Sequence, residues 1–269
     1  MDDVRQSFID SVLTVLDEEE VDTIRANLNA PLWTSAAENH LRKRDFVTII
    51  LAVKENETLF FFCRHAKGEI SFDELLQLDV RFVRIVQFTV STYKSDHPNA
   101  PDMVEIPAER LTDLMRFVSH VLVLSCSILV KNSVFLKRLA EELVVNPIAM
   151  KWLVLEHFPN KHRAELEALA CSSIFESLTI SGKTPQFDFP TLIRLVEAWK
   201  TRPGRCAMLT VPTSYNLAGE FGASMPKAPN SENSFLEKTD EYELEVECGD
   251  NFVQMQFVMH SAVYRAPLV

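Results

Sequence analysis

The sequence predicts an α/β fold, with three short helices over residues 1–45 followed by a larger α/β domain over 46–269 that ends in a β-hairpin. Val4, Phe8, Ile9, Val12, Leu13 and Leu16 recur at helical spacing, which gives a first helix one apolar face. From residue 82 onward, apolar strand-like runs alternate with amphipathic stretches, the order that builds parallel strands joined by helical crossovers. Near the end, Tyr242, Leu244, Val246 and Cys248 alternate with glutamates, the pattern of a strand with one buried and one acidic face.

Taken in order, the acidic run Asp17–Glu20 opens a second helix, where carboxylates face the positive end of the helix dipole. Leu32 and Trp33 open a third. Phe46–Val53 and Thr58–His65 read as strands of a hairpin. Ser71-Phe72-Asp73-Glu74 has the capping-box form, so a short helix is expected from there. Strands are then predicted at Phe82–Val90, Val121–Leu129, Met150–Glu156, Phe175–Ile180 and Cys206–Val211, with helices near 106–119, 133–143, 161–171 and 188–200. Pro107 suits a first helical turn, and Asn132, Asn160 and Asp188 suit caps. The strand spacing overlaps that of leucine-rich repeats without a fixed period or a set Asn or Cys position. An irregular, leucine-rich-repeat-like αβ sheet is therefore expected, with a doubly wound sheet as the competing architecture. Pro212–Lys238 carries prolines, glycines, serines and asparagines and reads as a mobile loop. Gly249–Asn251 then turns the chain into Phe252–His260 to close the hairpin.

Composition narrows the function. A net charge of -11, with no basic run longer than Arg42–Arg44, argues against nucleic-acid and anionic-membrane surfaces, which need a cationic stripe. The longest apolar stretch, Val121–Val130, is interrupted by Ser125, Cys126 and Ser127 and is shorter than the roughly 20 residues of a bilayer-spanning helix. The first residues carry acids where a signal peptide carries a basic segment, which reads as a cytoplasmic or nuclear protein.

Chemistry-bearing constellations are not apparent. The five cysteines form no C-x-x-C pair, and buried, reduced thiols are expected. The histidines lack metal-ligand spacing, and His157 and His162 are separated by Phe158-Pro159. G-x-S-x-G is missing, and Gly182-Lys183-Thr184 lacks the upstream glycine of a phosphate loop, so it reads as a strand-to-helix turn. Trp152 and Trp199 sit in apolar contexts and are expected in the core.

Residues 4–44 resemble an F-box, the three-helix motif that binds a Skp-type adaptor in cullin-RING ubiquitin ligases. The matching positions are Val4 at the usual entry leucine, Phe8, Val12 and Leu13 along the first helix, Leu16 at its end, and Trp33 near the start of the last. The chain departs from the pattern at Arg5, where the motif usually has proline, and at Leu32, which stands at an often basic or polar position. The remainder is similar to the domains that follow divergent F-boxes in large nematode families, most of all around Phe189–Trp199. The resemblance implies a non-enzymatic adaptor with no cofactor and no metal. Val4, Phe8, Val12, Leu13, Leu16 and Trp33 would dock the Skp-type protein, and residues 46–269 would bind a protein substrate. Two alternatives remain open: a stand-alone interaction module in which the helices cap the sheet, and an enzyme of unfamiliar type with a pocket near the 212–238 loop.

Overall fold

The structure is a computed structural model, and it describes residues 6–16, 18–54, 57–92, 102–129, 134–145, 149–156, 158–172, 174–201, 206–229 and 231–260, with only the backbone at 134–137 and 206. The chain is mixed α/β and divides into two compact units, one formed by 1–127 with 147–150 and the other by 128–146 with 151–269. The three N-terminal helices belong to the same unit as the strands that follow them.

The first unit opens with α1 (Gln6–Val15), α2 (Glu18–Asn27) and α3 (Pro31–Lys43). Pro31 stands at the start of α3, where its missing N–H is no loss. The hairpin β1 (Asp45–Val53) and β2 (Leu59–His65) is antiparallel as expected, in register from Val47 opposite His65 to Val53 opposite Leu59. A two-residue strand, β3 (Gly68–Glu69), precedes α4 (Phe72–Gln77). The predicted capping box is formed: the Ser71 hydroxyl accepts from the Glu74 N–H at 3.2 Å, and the Glu74 carboxylate accepts from the Ser71 N–H at 2.7 Å. After β4 (Val83–Thr92), β5 (Val104–Ile106), α5 (Leu111–Val118) and β6 (Leu122–Leu129), the strand order in this unit is β6-β4-β1-β2, with β3 and β5 sharing the far edge of β2. Parallel pairing of β1 with β4 places Val47, Ile49, Leu51 and Ile85, Phe88, Val90 in the core.

The second unit contains α6 (Val134–Val145), β7 (Met150–Glu156), α7 (Arg163–Ala170), β8 (Ser177–Ser181), α8 (Phe189–Lys200) and β9 (Cys206–Pro212). It continues through α9 (Ala218–Ser224), β10 (Ser234–Lys238), β11 (Tyr242–Cys248) and β12 (Phe252–Met259). Its strand order is β7-β8-β9-β12-β11-β10: the first three run parallel, and the others are antiparallel to their neighbours. Asp188 caps α8 as expected, accepting from the Thr191 N–H at 2.9 Å. The stretch read as a loop at 212–238 instead holds α9 and β10. Phe221 of α9 is fully buried, edge-on to Phe189 with centroids 4.9 Å apart and stacked on Phe235 at 6.2 Å. That packing outweighs the weak helix propensity of a segment with two glycines.

Strand alternation gives the strands of this unit two unlike faces. Leu153, Leu178, Leu209, Met255, Val246 and Phe235 form one register row, and all six are buried. α8 covers that face, with Trp199 beside Phe257 at 6.0 Å and its indole N–H donating to the Ala170 carbonyl of α7 at 3.1 Å. The neighbouring row, on the opposite face, runs Trp152, Ser177, Met208, Gln256, Glu245 and Leu236, with Trp152, Met208, Gln256 and Glu245 exposed and the others half-buried. Trp199 is in the core as expected, but Trp152 is 51% exposed, which corrects its assignment to the core. The run Met150–Glu156 is apolar on both faces of its strand, so its pattern alone does not say which face is covered.

Candidate functional site

The docking stripe predicted along α1 is divided by the structure. Ile9 and Leu13 turn inward and, with Val21, Ala36 and Ala37, make a small core between the three helices, against which Leu16, Ile24, Trp33 and Leu41 pack. Leu13 is fully buried and Val12 and Leu16 are half-buried, so Leu13 cannot be a contact residue while the helices hold together. Val4 lies outside the described residues. Phe8 faces outward, 55% exposed, and meets the half-buried Trp33 ring edge-on at 6.4 Å. Leu32, next to Trp33, is 41% exposed and lines a groove of about 570 Å³ between α1 and α3 together with Gln6, Asp10, Ser35, Glu38 and Arg42. The apolar surface exposed on these helices includes Phe8, the edge of Trp33 and Leu32, beside a polar and charged rim, and Val15 near the end of α1 is 37% exposed as well.

Beneath that surface lies a buried polar cluster. The last carbonyls of a helix have no intrahelical partner. At the end of α1 two buried guanidiniums supply one. Arg84, 1% exposed on β4, donates to the Leu13 carbonyl at 2.9 Å. Arg44, just after α3, donates to the same oxygen at 3.1 Å and to the Leu16 carbonyl at 2.9 Å. Positive charge at the negative end of the α1 dipole adds to these charge-assisted bonds. Arg84 also donates to the Val83 carbonyl at 2.7 Å, and among the described residues no carboxylate pairs with it. Burial, with the like charge of Arg44 adding to it, pulls the Arg84 guanidinium down to about 9, still protonated at neutral pH.

His40 completes the cluster. It is fully buried in the last turn of α3, with Nε2 3.4 Å from the Asp10 carboxylate of α1 and its ring tilted against Phe82 at 5.0 Å. Burial lowers its pKa below the usual histidine value; the Asp10 carboxylate opposes that shift, while Arg84 and Arg44 reinforce it. Arg81 and Lys43 lie over the Phe82 ring at 5.3 and 5.2 Å. In consequence the end of α1 is tied by buried hydrogen bonds to β4 and to the residue after α3, and α3 packs against Phe82 through His40.

The Arg84 and His40 contacts were not read from sequence. Arg84 did leave a signal, a single guanidinium inside the run Phe82-Val83-Arg84-Ile85, where a buried charge needs a partner. Its partner lies 71 residues away, beyond any local pattern.

Three of the five thiols are held in the unreactive form. Burial raises Cys63 and Cys126 to about 12 and Cys248 to about 11, where thiolate is negligible at neutral pH. Among the described residues, no group of three or more His, Cys, Asp and Glu side chains is placed to hold a metal ion, and no helix is long and apolar enough to cross a membrane.

Fold and site together define a two-unit α/β chain whose N-terminal helical head is locked to a sheet strand and presents a small aromatic edge. No protein-family model, no curated protein and no solved structure matches it.

Proposed function

We propose that this chain is a non-enzymatic protein-interaction module that docks a partner through the outer edge of its helical head. The observation that carries the reading is the exposure of Phe8, edge-on to Trp33, and of Leu32 next to it in sequence, on helices whose Ile9, Leu13, Val21, Ala36 and Ala37 make an internal core. Aromatic side chains with large exposed area are the usual anchors of protein interfaces. The resemblance to an F-box names the partner class, a Skp-type adaptor. The chain would then be a substrate-recruiting subunit of a cullin-RING ubiquitin ligase, with the second unit, an irregular leucine-rich-repeat-like sheet with one open face, holding a protein substrate. The proposed contact set keeps Phe8 and Trp33 from the sequence expectation, omits the buried Leu13 and adds Leu32, which stands where the sequence departs from the F-box pattern.

A second reading has its own support. The Arg44 and Arg84 bonds to the end of α1 are what a permanent cap needs, and they favour a stand-alone module whose head serves the fold. Co-expression of the full chain with a Skp-type adaptor separates the two. Under the first reading, wild type co-purifies with the adaptor, and a Phe8→Asp/Leu32→Asp variant of unchanged melting temperature does not. A well-folded wild type that fails to co-purify leaves the stand-alone reading.

A further inference from the structure

We propose that the open face of the second unit's sheet is a docking surface for a basic polypeptide segment with an apolar anchor, the anchor seating on Trp152 and Met208 and the basic side chains reaching Glu245 and Glu247. This rests on the interaction-module reading and names the kind of polypeptide that the second unit takes. Three features of the face support it.

The first is exposed apolar area in a fixed place. Trp152 and Met208 are two strands apart in one register row, 51% and 42% exposed, with Ser177 between them. Both side chains stand on regular strands of the face and not at a loop tip, and exposed apolar area held in a fixed place suits a docking surface. Trp152 is also oriented: its indole N–H donates to the Glu176 carboxylate at 3.1 Å, and the Lys151 ammonium holds the other oxygen of that carboxylate at 2.8 Å. An aromatic ring set in advance loses little freedom when a partner arrives.

The second feature is charge. Beyond Met208 and Gln256 the same face turns acidic, with Glu243, Glu245 and Glu247 on β11. The ammonium facing them from β10, Lys238, is held by Glu243 at 2.6 Å. Glu245 and Glu247 have no cation within ion-pair distance among the described residues. A net charge of -11 over the chain makes a second copy of itself a poor occupant, since two acidic faces repel.

The third is dimension. Neighbouring strands stand about 4.8 Å apart, so the four steps from Trp152 to Glu245 span about 19 Å. At about 3.3 Å per residue, six extended residues cross that distance. The Gln254, Gln256 and Thr210 side chains along the way can bond to a peptide backbone.

The test uses the full chain and a labelled octapeptide of alternating Arg and Leu, with a Glu-for-Arg counterpart, followed by fluorescence anisotropy. The Arg peptide is expected to bind and the Glu peptide not. Trp152→Ala and Glu245→Lys/Glu247→Lys are each expected to weaken binding at least tenfold without loss of cooperative melting. Glu18→Lys/Glu19→Lys, the same charge change placed on α2, is expected to leave binding within twofold. Equal weakening by the α2 control would reduce the effect to bulk charge and overturn the proposal. So would an unaffected Trp152→Ala, absence of Arg-peptide binding, equal binding of the Glu peptide, or self-association that Trp152→Ala abolishes. The Trp152→Ala and Glu245→Lys/Glu247→Lys variants lie outside the head, so their adaptor co-purification reports independently on the reading beneath this one.

Discussion

Arg84 and Arg44 share one acceptor, the Leu13 carbonyl, and that sharing makes their contributions interdependent. Removing either guanidinium leaves the oxygen one of these partners; removing both leaves it neither. Each Arg→Met change should cost about 1.5–3 kcal/mol, the usual range for a hydrogen bond to a charged group. The double variant should lose more than the sum of the two, by about 1 kcal/mol, because a buried carbonyl is orphaned and because relief of the like-charge contact is counted only once. Urea melts of the four proteins measure this, and strict additivity would mean that the two side chains act separately.

His40 gives the same cluster a pH signature. Its folded pKa lies below the ordinary 6.5, so the unfolded chain binds the proton more readily. Stability should therefore be complete above about 6.5 and fall as the solution is acidified through and below that value. His40→Gln should flatten the fall between pH 6.5 and 5, with wild type and variant converging in slope above it. A variant that melts in parallel with wild type across that window would contradict the assignment.

At the scale of elements, the three N-terminal helices and α8 give opposite lessons. α8 was legible almost to the residue because its signals are local: Asp188 at the cap, Pro190 in the first turn, and apolar residues at Leu192, Leu195, Val196 and Trp199. The Thr191 hydroxyl and N–H, with Arg163 alongside at 2.9 Å, hold the Asp188 carboxyl down to about 2. That stability is present above the ordinary value of 3.8 and is lost as pH falls towards 2. Asp188→Ala should cost about 1 kcal/mol at neutral pH, as N-cap removals do, and less in acid, measured by urea melts at pH 7 and pH 2.5. Helices α1 to α3 were equally legible as helices, yet which of their apolar residues face inward was not, since a stripe records spacing and not the identity of the neighbour. Phe8 and Leu13 belong to one stripe in sequence and to opposite environments in the structure. α9 was missed because its stability comes from Phe221 meeting Phe189 and Phe235, both far from it in pattern. Trp152 was misplaced for a related reason, an apolar run that fits either face of a strand. The head is also built into its unit: a fragment 46–269 lacks His40 against Phe82 and the Leu13 acceptor of Arg84, and it should aggregate or melt without cooperativity. A soluble fragment with a sharp melt would show that the cap is dispensable.

Over the whole molecule, the chain forms two compact units, and the proposed function assigns each of them a binding surface. The first carries the head and its aromatic edge, and the second carries a sheet with one face buried under helices and one face open. Both candidate surfaces consist of exposed apolar anchors with polar or acidic surroundings, which suits protein partners, while the net charge of -11 disfavours nucleic acid. The central claim is that the head is fixed from within and docks from without. Its most direct test is calorimetric titration of the full chain with a purified Skp-type adaptor, using wild type, Phe8→Asp and Arg84→Met. The account predicts that Phe8→Asp keeps its melting temperature and loses binding, whereas Arg84→Met melts lower and still binds below its melting point. Binding by Phe8→Asp at wild-type strength, or none by wild type, would contradict it.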